Sequence, residues 1–119
     1  MIYFGTDGIR GKVGESLPFE RAFQLGYAIK KYYKHKKIMI AYDTRESYLE
    51  YTYALLNGLK QMEIEVLGMY PTPVLAFVSK EKNAVGIMIT ASHNPYTDNG
   101  LKLFENGLKL PENTLEKLE

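Results

Sequence analysis

The densest chemistry in the sequence lies in thirteen residues, from Thr90 to Lys102: Thr90-Ala91-Ser92-His93-Asn94-Pro95-Tyr96-Thr97-Asp98-Asn99-Gly100-Leu101-Lys102. A hydroxyl, an imidazole, amides, a carboxylate and an ammonium group follow directly on an apolar run at 85–89. A hydrolase triad does not fit. Ser92 and His93 are neighbours, adjacent side chains rarely meet as nucleophile and base, and the Gly-x-Ser-x-Gly elbow is missing. The loop suits a serine that takes up, carries and returns a phosphoryl group. Lys102, ten positions after Ser92, offers a point charge for the phosphate or, with a lowered pKa, proton exchange with a substrate hydroxyl. A structural polar turn accounts for Asp98-Asn99-Gly100 but less well for a Ser-His pair at a strand end.

Two further loops could join it. Phe4-Gly5-Thr6-Asp7-Gly8-Ile9-Arg10-Gly11 holds three glycines in eight residues, so the backbone can approach a ligand without Cβ obstruction. Arg10, at the end of that loop, carries a planar fork of donors suited to phosphate or carboxylate; a tight hairpin with Arg10 paired to Asp7 or another acid stays open as the plainer reading. Asp43-Thr44-Arg45 follows another apolar run and opens a helix. Asp43 or Thr44 suits the cap position, and Arg45 can pair with Asp43 or reach the first loop.

The elements that must position these loops follow from periodicity. Apolar runs rich in branched side chains at 38–42, 64–69 and 85–89 read as strands covered on both faces. Between them lie helical patterns. Pro18 opens one with Phe19, Ala22, Phe23, Gly26, Ile29 and Tyr33 on a stripe; Tyr48, Tyr51, Leu55, Leu59 and Met62 form a second. A third, shorter helix takes Thr72 as cap and carries Val74, Phe77 and Val78. Residues 100–104 alternate as a further strand that returns from the serine loop in hairpin fashion. The predicted fold is α/β, with layered helices around a small mixed, mostly parallel sheet, as one domain over residues 1–119. All three loops then gather beyond the carboxyl ends of strands, where open α/β sheets hold ligands. Residues 111–119 read as a helix cut short near a domain boundary. The basic run at 30–37 closes the first helix, where cations meet the partial negative charge of the last turn.

Composition narrows the class. Of 119 residues 45% are hydrophobic and 24% charged, with a net charge of +1, so neither disorder nor gross electrostatic attraction to nucleic acid or anionic membranes is indicated. The absence of cysteine removes disulfides, thiolate zinc sites and cysteine nucleophiles. No apolar run nears the roughly 18–20 residues that span a bilayer, and no signal-like start is present; a cytoplasmic protein is the default expectation.

The opening octet, the Pro71-Thr72-Pro73 helix start, and Ala91-Ser92-His93-Asn94-Pro95 with Asp98-Asn99-Gly100-x-Lys102 occur in the same order as in the N-terminal domain of the α-D-phosphohexomutases, which the whole chain resembles. The octet is more similar to that family's glucosamine branch than to its mannose/glucose branch. The resemblance implies that Ser92 is a phosphoserine, lending its phosphoryl group to a hexose monophosphate and recovering one from a 1,6-bisphosphate intermediate. It implies that His93 contacts that group, that Lys102 is a candidate general acid/base, and that Arg10 is a supporting cation. It further implies one Mg²⁺ ligand from phosphorylated Ser92 and, for the glucosamine branch, a place in cell-wall precursor synthesis. The remaining partners would be the hexose phosphate and the family's later domains.

The Asp-rich metal loop, the sugar-recognition loop and the phosphate-binding domain of that family are absent from these residues, and no Asp-x-Asp-x-Asp cluster occurs. Strong Mg²⁺ binding is therefore not expected here. Tyr48 stands where the family's turn has a small residue. A reading of another class stays open: a catalytically incomplete module that binds sugar phosphates or a partner chain. Apolar surface left for the absent domains predicts self-association, visible as a concentration-dependent elution volume in gel filtration. Phosphoryl transfer depends on positioning and charge stabilisation, so these 119 residues alone are expected to show negligible mutase turnover; a coupled assay giving the rate of a complete enzyme would refute this.

Overall fold

β-Branched residues at Ile38, Ile40, Ile64, Val66, Val85, Ile87 and Ile89 favour extended backbone, and all lie in strands of the computed structural model, which describes residues 9–91 and 94–109. In chain order the elements are β1 (Ile9–Lys12), α1 (Phe19–Tyr32), β2 (Ile38–Tyr42), α2 (Tyr48–Gly58), β3 (Ile64–Met69), α3 (Thr72–Glu81), β4 (Val85–Ile89), β5 (Asp98–Glu105) and β6 (Leu108–Lys109). The sheet runs β1-β5-β4-β2-β3, with β6 added to β5. β2 pairs in parallel with β3 and β4, while β5 is antiparallel to β1, β4 and β6. The mixed sheet expected from the sequence is thus present, and its antiparallel half is the one that carries the serine loop.

Alternation along the strands divides the core in two. Ile38, Ile40, Val85, Ile87, Ile89, Leu101 and Leu103 pack with Leu25 and Ile29 of α1 and with Tyr51 and Leu55 of α2. Met39, Ala41, Met88 and Phe104 pack with Leu75 of α3 on the opposite face. Tyr51 is sealed in the first core, where its hydroxyl donates to the Leu17 carbonyl at 2.6 Å; burial pushes its phenol up to about 12. Helices α1 and α2 approach closely because Gly26 and Gly58 face one another's backbone. A Cβ on Gly26 would sit 2.8 Å from the Leu55 carbonyl oxygen, and one on Gly58 would collide with that of Phe23.

Several sequence expectations need correction. β3 is the sheet edge and is not covered on both faces: Val66 and Met69 are exposed. On α1 the inward stripe includes Leu25, while Phe23 is turned to solvent. On α3 Phe77 and Val74 are exposed, and Leu75 with Ser79 faces the sheet. The cause is Gly86 of β4, whose missing side chain lets α3 settle with Ser79 and Leu75 directly over it. Thr72 is the first residue of α3 and does not cap it; Pro71 holds the cap position. The helical start expected at 111–119 lies outside the described residues.

Replacing Gly58 with Ala should force α1 and α2 apart and lower stability by about 1–3 kcal/mol. Urea unfolding measures this; an unchanged midpoint would mean the crossing is not close-packed.

Candidate active site

Parallel pairing puts the carboxyl ends of β2 and β4 side by side, with Tyr42 opposite Ile89. The loops that leave them are therefore in contact from their first residues. The Asp43 amide donates to the Ile89 carbonyl at 3.2 Å, and the Thr90 hydroxyl donates to Asp43 Oδ2 at 2.6 Å. Thr90 is also held from the other side, its amide donating to the Gly100 carbonyl at 2.9 Å. The expected meeting of the second and third loops is thus present.

Arg45 is the polar centre of that meeting. Only 3% of the residue is exposed. Its amide donates to Asp43 Oδ1 at 3.1 Å and its Nε to Asp43 Oδ2 at 3.2 Å, while Nη1 reaches the carbonyls of Pro95 at 2.6 Å and Asp98 at 3.3 Å. The Tyr96 ring lies 5.2 Å from the guanidinium carbon, and its hydroxyl is 3.4 Å from that of Thr44. Arg45 thus pairs with Asp43 as expected and also reaches the third loop; the first loop, its other expected partner, lies outside the described residues. Asp43 and Thr44 do not cap α2: Ser47 occupies that position, with no side-chain bond to the helix amides. The unusual Tyr48 stacks on Tyr42, ring centroids 4.3 Å apart, which accommodates its bulk at the turn.

The cations come from the antiparallel strands. Arg10 lies within β1, not in a loop, and sits opposite Gly100 of β5. Lys102 is two residues further along β5, opposite Met88, so alternation turns it to the same face as Arg10. Gly100 makes this possible. A Cβ there would lie 2.6 Å from the Ile9 carbonyl oxygen, 2.7 Å from that of Thr90 and 3.0 Å from Arg10 Cγ. Arg10 Nη1 then extends to Asn94 Oδ1 at 3.4 Å, and Asn94 Nδ2 donates to Asp98 Oδ2 at 3.1 Å. Asp98, Asn99 and Gly100 belong to the start of β5, not to the loop. Asn99 is fully buried, its Nδ2 donating to Ser47 Oγ at 2.8 Å, so the strand is tied to the first turn of α2.

Of the four site residues expected from the sequence, Arg10 and Lys102 share one face beside the loop, whereas Ser92 and His93 lie outside the described residues, as does the opening loop at 4–8. Reading the sequence missed the reach of Arg45 to the far side of the loop; its only trace was an arginine two residues after Asp43 at a strand end. An open cleft of about 870 Å³ runs along the loop between Tyr96, Thr97 and the start of α2. Glu46 and Glu50 line it together with Lys12, itself paired to Glu15 at 3.1 Å, so that lining disfavours a phosphate. Among the described residues no group of three or more His, Cys, Asp or Glu could hold a metal ion, and no helix is long and apolar enough to cross a membrane.

Fold and site together define a three-layer α/β domain that holds a polar loop at its strand ends, with two cations on the adjoining sheet face. Residues 1–119 match the family of phosphoglucomutase/phosphomannomutase, alpha/beta/alpha domain I. The chain belongs to this family. It is 45% identical over 112 residues to a phosphoglucosamine mutase of Fusobacterium nucleatum, covering 86% of this chain and 25% of that one. A phosphoglucosamine mutase of Campylobacter jejuni is 42% identical, over 98% of this chain and 28% of its own length. A phosphoglucomutase/phosphomannomutase family protein from Burkholderia thailandensis has a similar solved structure, with TM-score 0.86 and 28% identity over 99% of this chain and 30% of that one. The chain spans about a quarter of the length of these curated relatives.

Gly100→Ala should spread β1 from β5 and displace Arg10, at a cost of about 1–3 kcal/mol. Thermal unfolding of the variant checks this, and wild-type stability would show that the seam has slack.

Proposed function

We propose that this chain is the phosphoserine-bearing domain of a phosphoglucosamine mutase, interconverting glucosamine 6-phosphate and glucosamine 1-phosphate through the 1,6-bisphosphate. The observation that carries the reading is the convergence of Arg10 and Lys102 on one sheet face, with Arg10 hydrogen-bonded to Asn94 of the serine loop. The names of the relatives at 42–45% identity supply the sugar.

In this reading the bond between Ser92 Oγ and phosphorus breaks as a new one forms to the substrate's free hydroxyl oxygen, whose proton passes by way of Lys102, as the neutral amine, to the departing Ser92 Oγ. The bisphosphate then gives its other phosphoryl group to Ser92 Oγ, whose proton passes back by way of Lys102 to the sugar oxygen left behind. Arg10 and His93 offset the charge on the transferring group, which in phosphoryl transfer is the main work left to the protein. Mg²⁺ would take one oxygen from phosphorylated Ser92. The described residues offer no carboxylate cluster to complete its shell, so its other ligands are assigned to further domains and no step is derived through it. Exposed Met69, Tyr70, Val74 and Phe77 support such domains as neighbours. A cytoplasmic site of action and a role in cell-wall precursor synthesis follow from the same reading.

Tested in the full-length enzyme, Ser92→Ala should abolish turnover while circular dichroism shows an intact fold; retained turnover would overturn the phosphoserine. Intact-mass analysis should find one added phosphate, mapped to Ser92. Lys102→Ala should lower kcat by about 10²–10⁴-fold if it moves the proton, and an unchanged rate would leave it a structural lysine. Preference for mannose or glucose phosphates over glucosamine 6-phosphate would move the protein to the family's other branch.

A further inference from the structure

We propose that Arg45 and Asp43 are positioning residues for phosphoryl transfer, an ion pair that fastens both ends of the loop carrying Ser92. The inference rests on the reading of Ser92 as the phosphoryl carrier. One carboxylate oxygen, Asp43 Oδ2, takes the Thr90 hydroxyl at 2.6 Å on the incoming side of the loop and Arg45 Nε at 3.2 Å. The same guanidinium takes the Pro95 and Asp98 carbonyls at 2.6 and 3.3 Å on the outgoing side. Thr90 stands two residues before Ser92 and Pro95 three after it. A single rigid ion pair therefore bridges the entry and exit of the reactive segment, and its own backbone is anchored on β2.

Arg45 is not placed as a phosphate ligand. At 3% exposure, with the Tyr96 ring over it, its Nε and Nη1 are committed to Asp43 and the two carbonyls, which a phosphate would have to displace to reach those atoms. The geometry also specifies arginine. A planar guanidinium serves acceptors in several fixed directions at once, which an ammonium on a flexible stem does not. Its effect on the reaction is therefore indirect: it fixes where the loop begins and ends, and misplacement of a reacting group by about 1 Å can cost about 10²-fold in rate.

The test compares Arg45→Gln, Arg45→Lys, Asp43→Asn and Thr90→Val in the full-length enzyme with glucosamine 6-phosphate. Thr90→Val removes one strut with little change of shape and serves where the arginine variants fold poorly. The expected result is a fall of about 10- to 100-fold in kcat per folded molecule, with KM changed by less than about two-fold. Single-turnover phosphorylation of Ser92 by the 1,6-bisphosphate, followed by intact mass, should slow in parallel, and Arg45→Lys should not restore it. Wild-type kcat after correction for folded fraction in both Arg45→Gln and Thr90→Val would overturn the proposal, since a purely structural role changes only that fraction. So would a raised KM at constant kcat, which would make Arg45 a substrate contact. If Ser92→Ala is inactive while these variants turn over normally, the positioning role alone falls; if Ser92→Ala remains active, both readings fall.

Discussion

A guanidinium removed from water must be met by acceptors on the protein, because leaving one partner of such a pair unmatched costs more than most single contacts return. Arg45 meets this requirement with acceptors from two separate parts of the chain, the Asp43 carboxylate and the Pro95 and Asp98 carbonyls. The carboxylate stays partly solvated, with 28% of its side chain exposed, whereas the arginine side chain keeps 4%. Its desolvation is therefore modest, and the larger constraint falls on the loop that must bring its carbonyls to the arginine. Hydrogen bonds to charged groups contribute about 1.5–3 kcal/mol each. Two such bonds are comparable with the entropy of ordering several loop residues, at about 1–2 kcal/mol per residue. The loops that leave β2 and β4 are thereby a single structural unit.

The antiparallel half of the sheet performs the complementary task. Arg10 and Lys102 come from opposite ends of the described chain, yet β5 lies between β1 and β4 and puts both on one face. Strands hold such groups more firmly than loops do. Gly100 is the point where this arrangement admits no side chain, since backbone from two neighbours and the stem of Arg10 converge on it. Asn99 adds the link to α2 by way of Ser47, so the helix that follows Arg45 and the strand that follows the loop are also joined.

Much of this was legible in the sequence, for identifiable reasons. The strands at 38–42, 64–69 and 85–89 have the bounds expected of them, because short branched runs between polar turns leave few alternatives. Their burial was less legible. A run such as 64–69 looks the same whether it lies in the centre of a sheet or at its edge, and only strand order, set by pairings far apart in sequence, decides it. The inward face of α3 failed for a similar reason: Phe77 is the largest apolar residue on the helix, but the contact is set by Gly86 on another element. At the site, residue types revealed Arg10 and Lys102 as candidate cations. Their common face depended on β5 running antiparallel to both neighbours. Arg45 carried a local signal, its pairing with Asp43, and that local partner hid the longer reach across the loop.

The arrangement separates two demands that phosphoryl transfer makes on a protein. Charge must be offset where the group moves, and the carrier oxygen must return to one place in each half-reaction. In the proposed reading Arg10 on β1 answers the first demand and Lys102 on β5 moves the proton, both from strands whose positions are fixed by the core. The second falls on a short loop, which by itself would be the least ordered part of the site. Joining the entry and exit of that loop to one carboxylate–guanidinium pair ties both to the sheet through an arginine that is nearly sealed from solvent. Both arginines touch the loop, but unequally: Arg45 holds the Pro95 carbonyl at 2.6 Å, whereas Arg10 meets Asn94 Oδ1 at 3.4 Å. In the proposed reading a phosphate that engaged Arg10 would therefore give up one long contact to the loop, and one that engaged Arg45 would give up a short one.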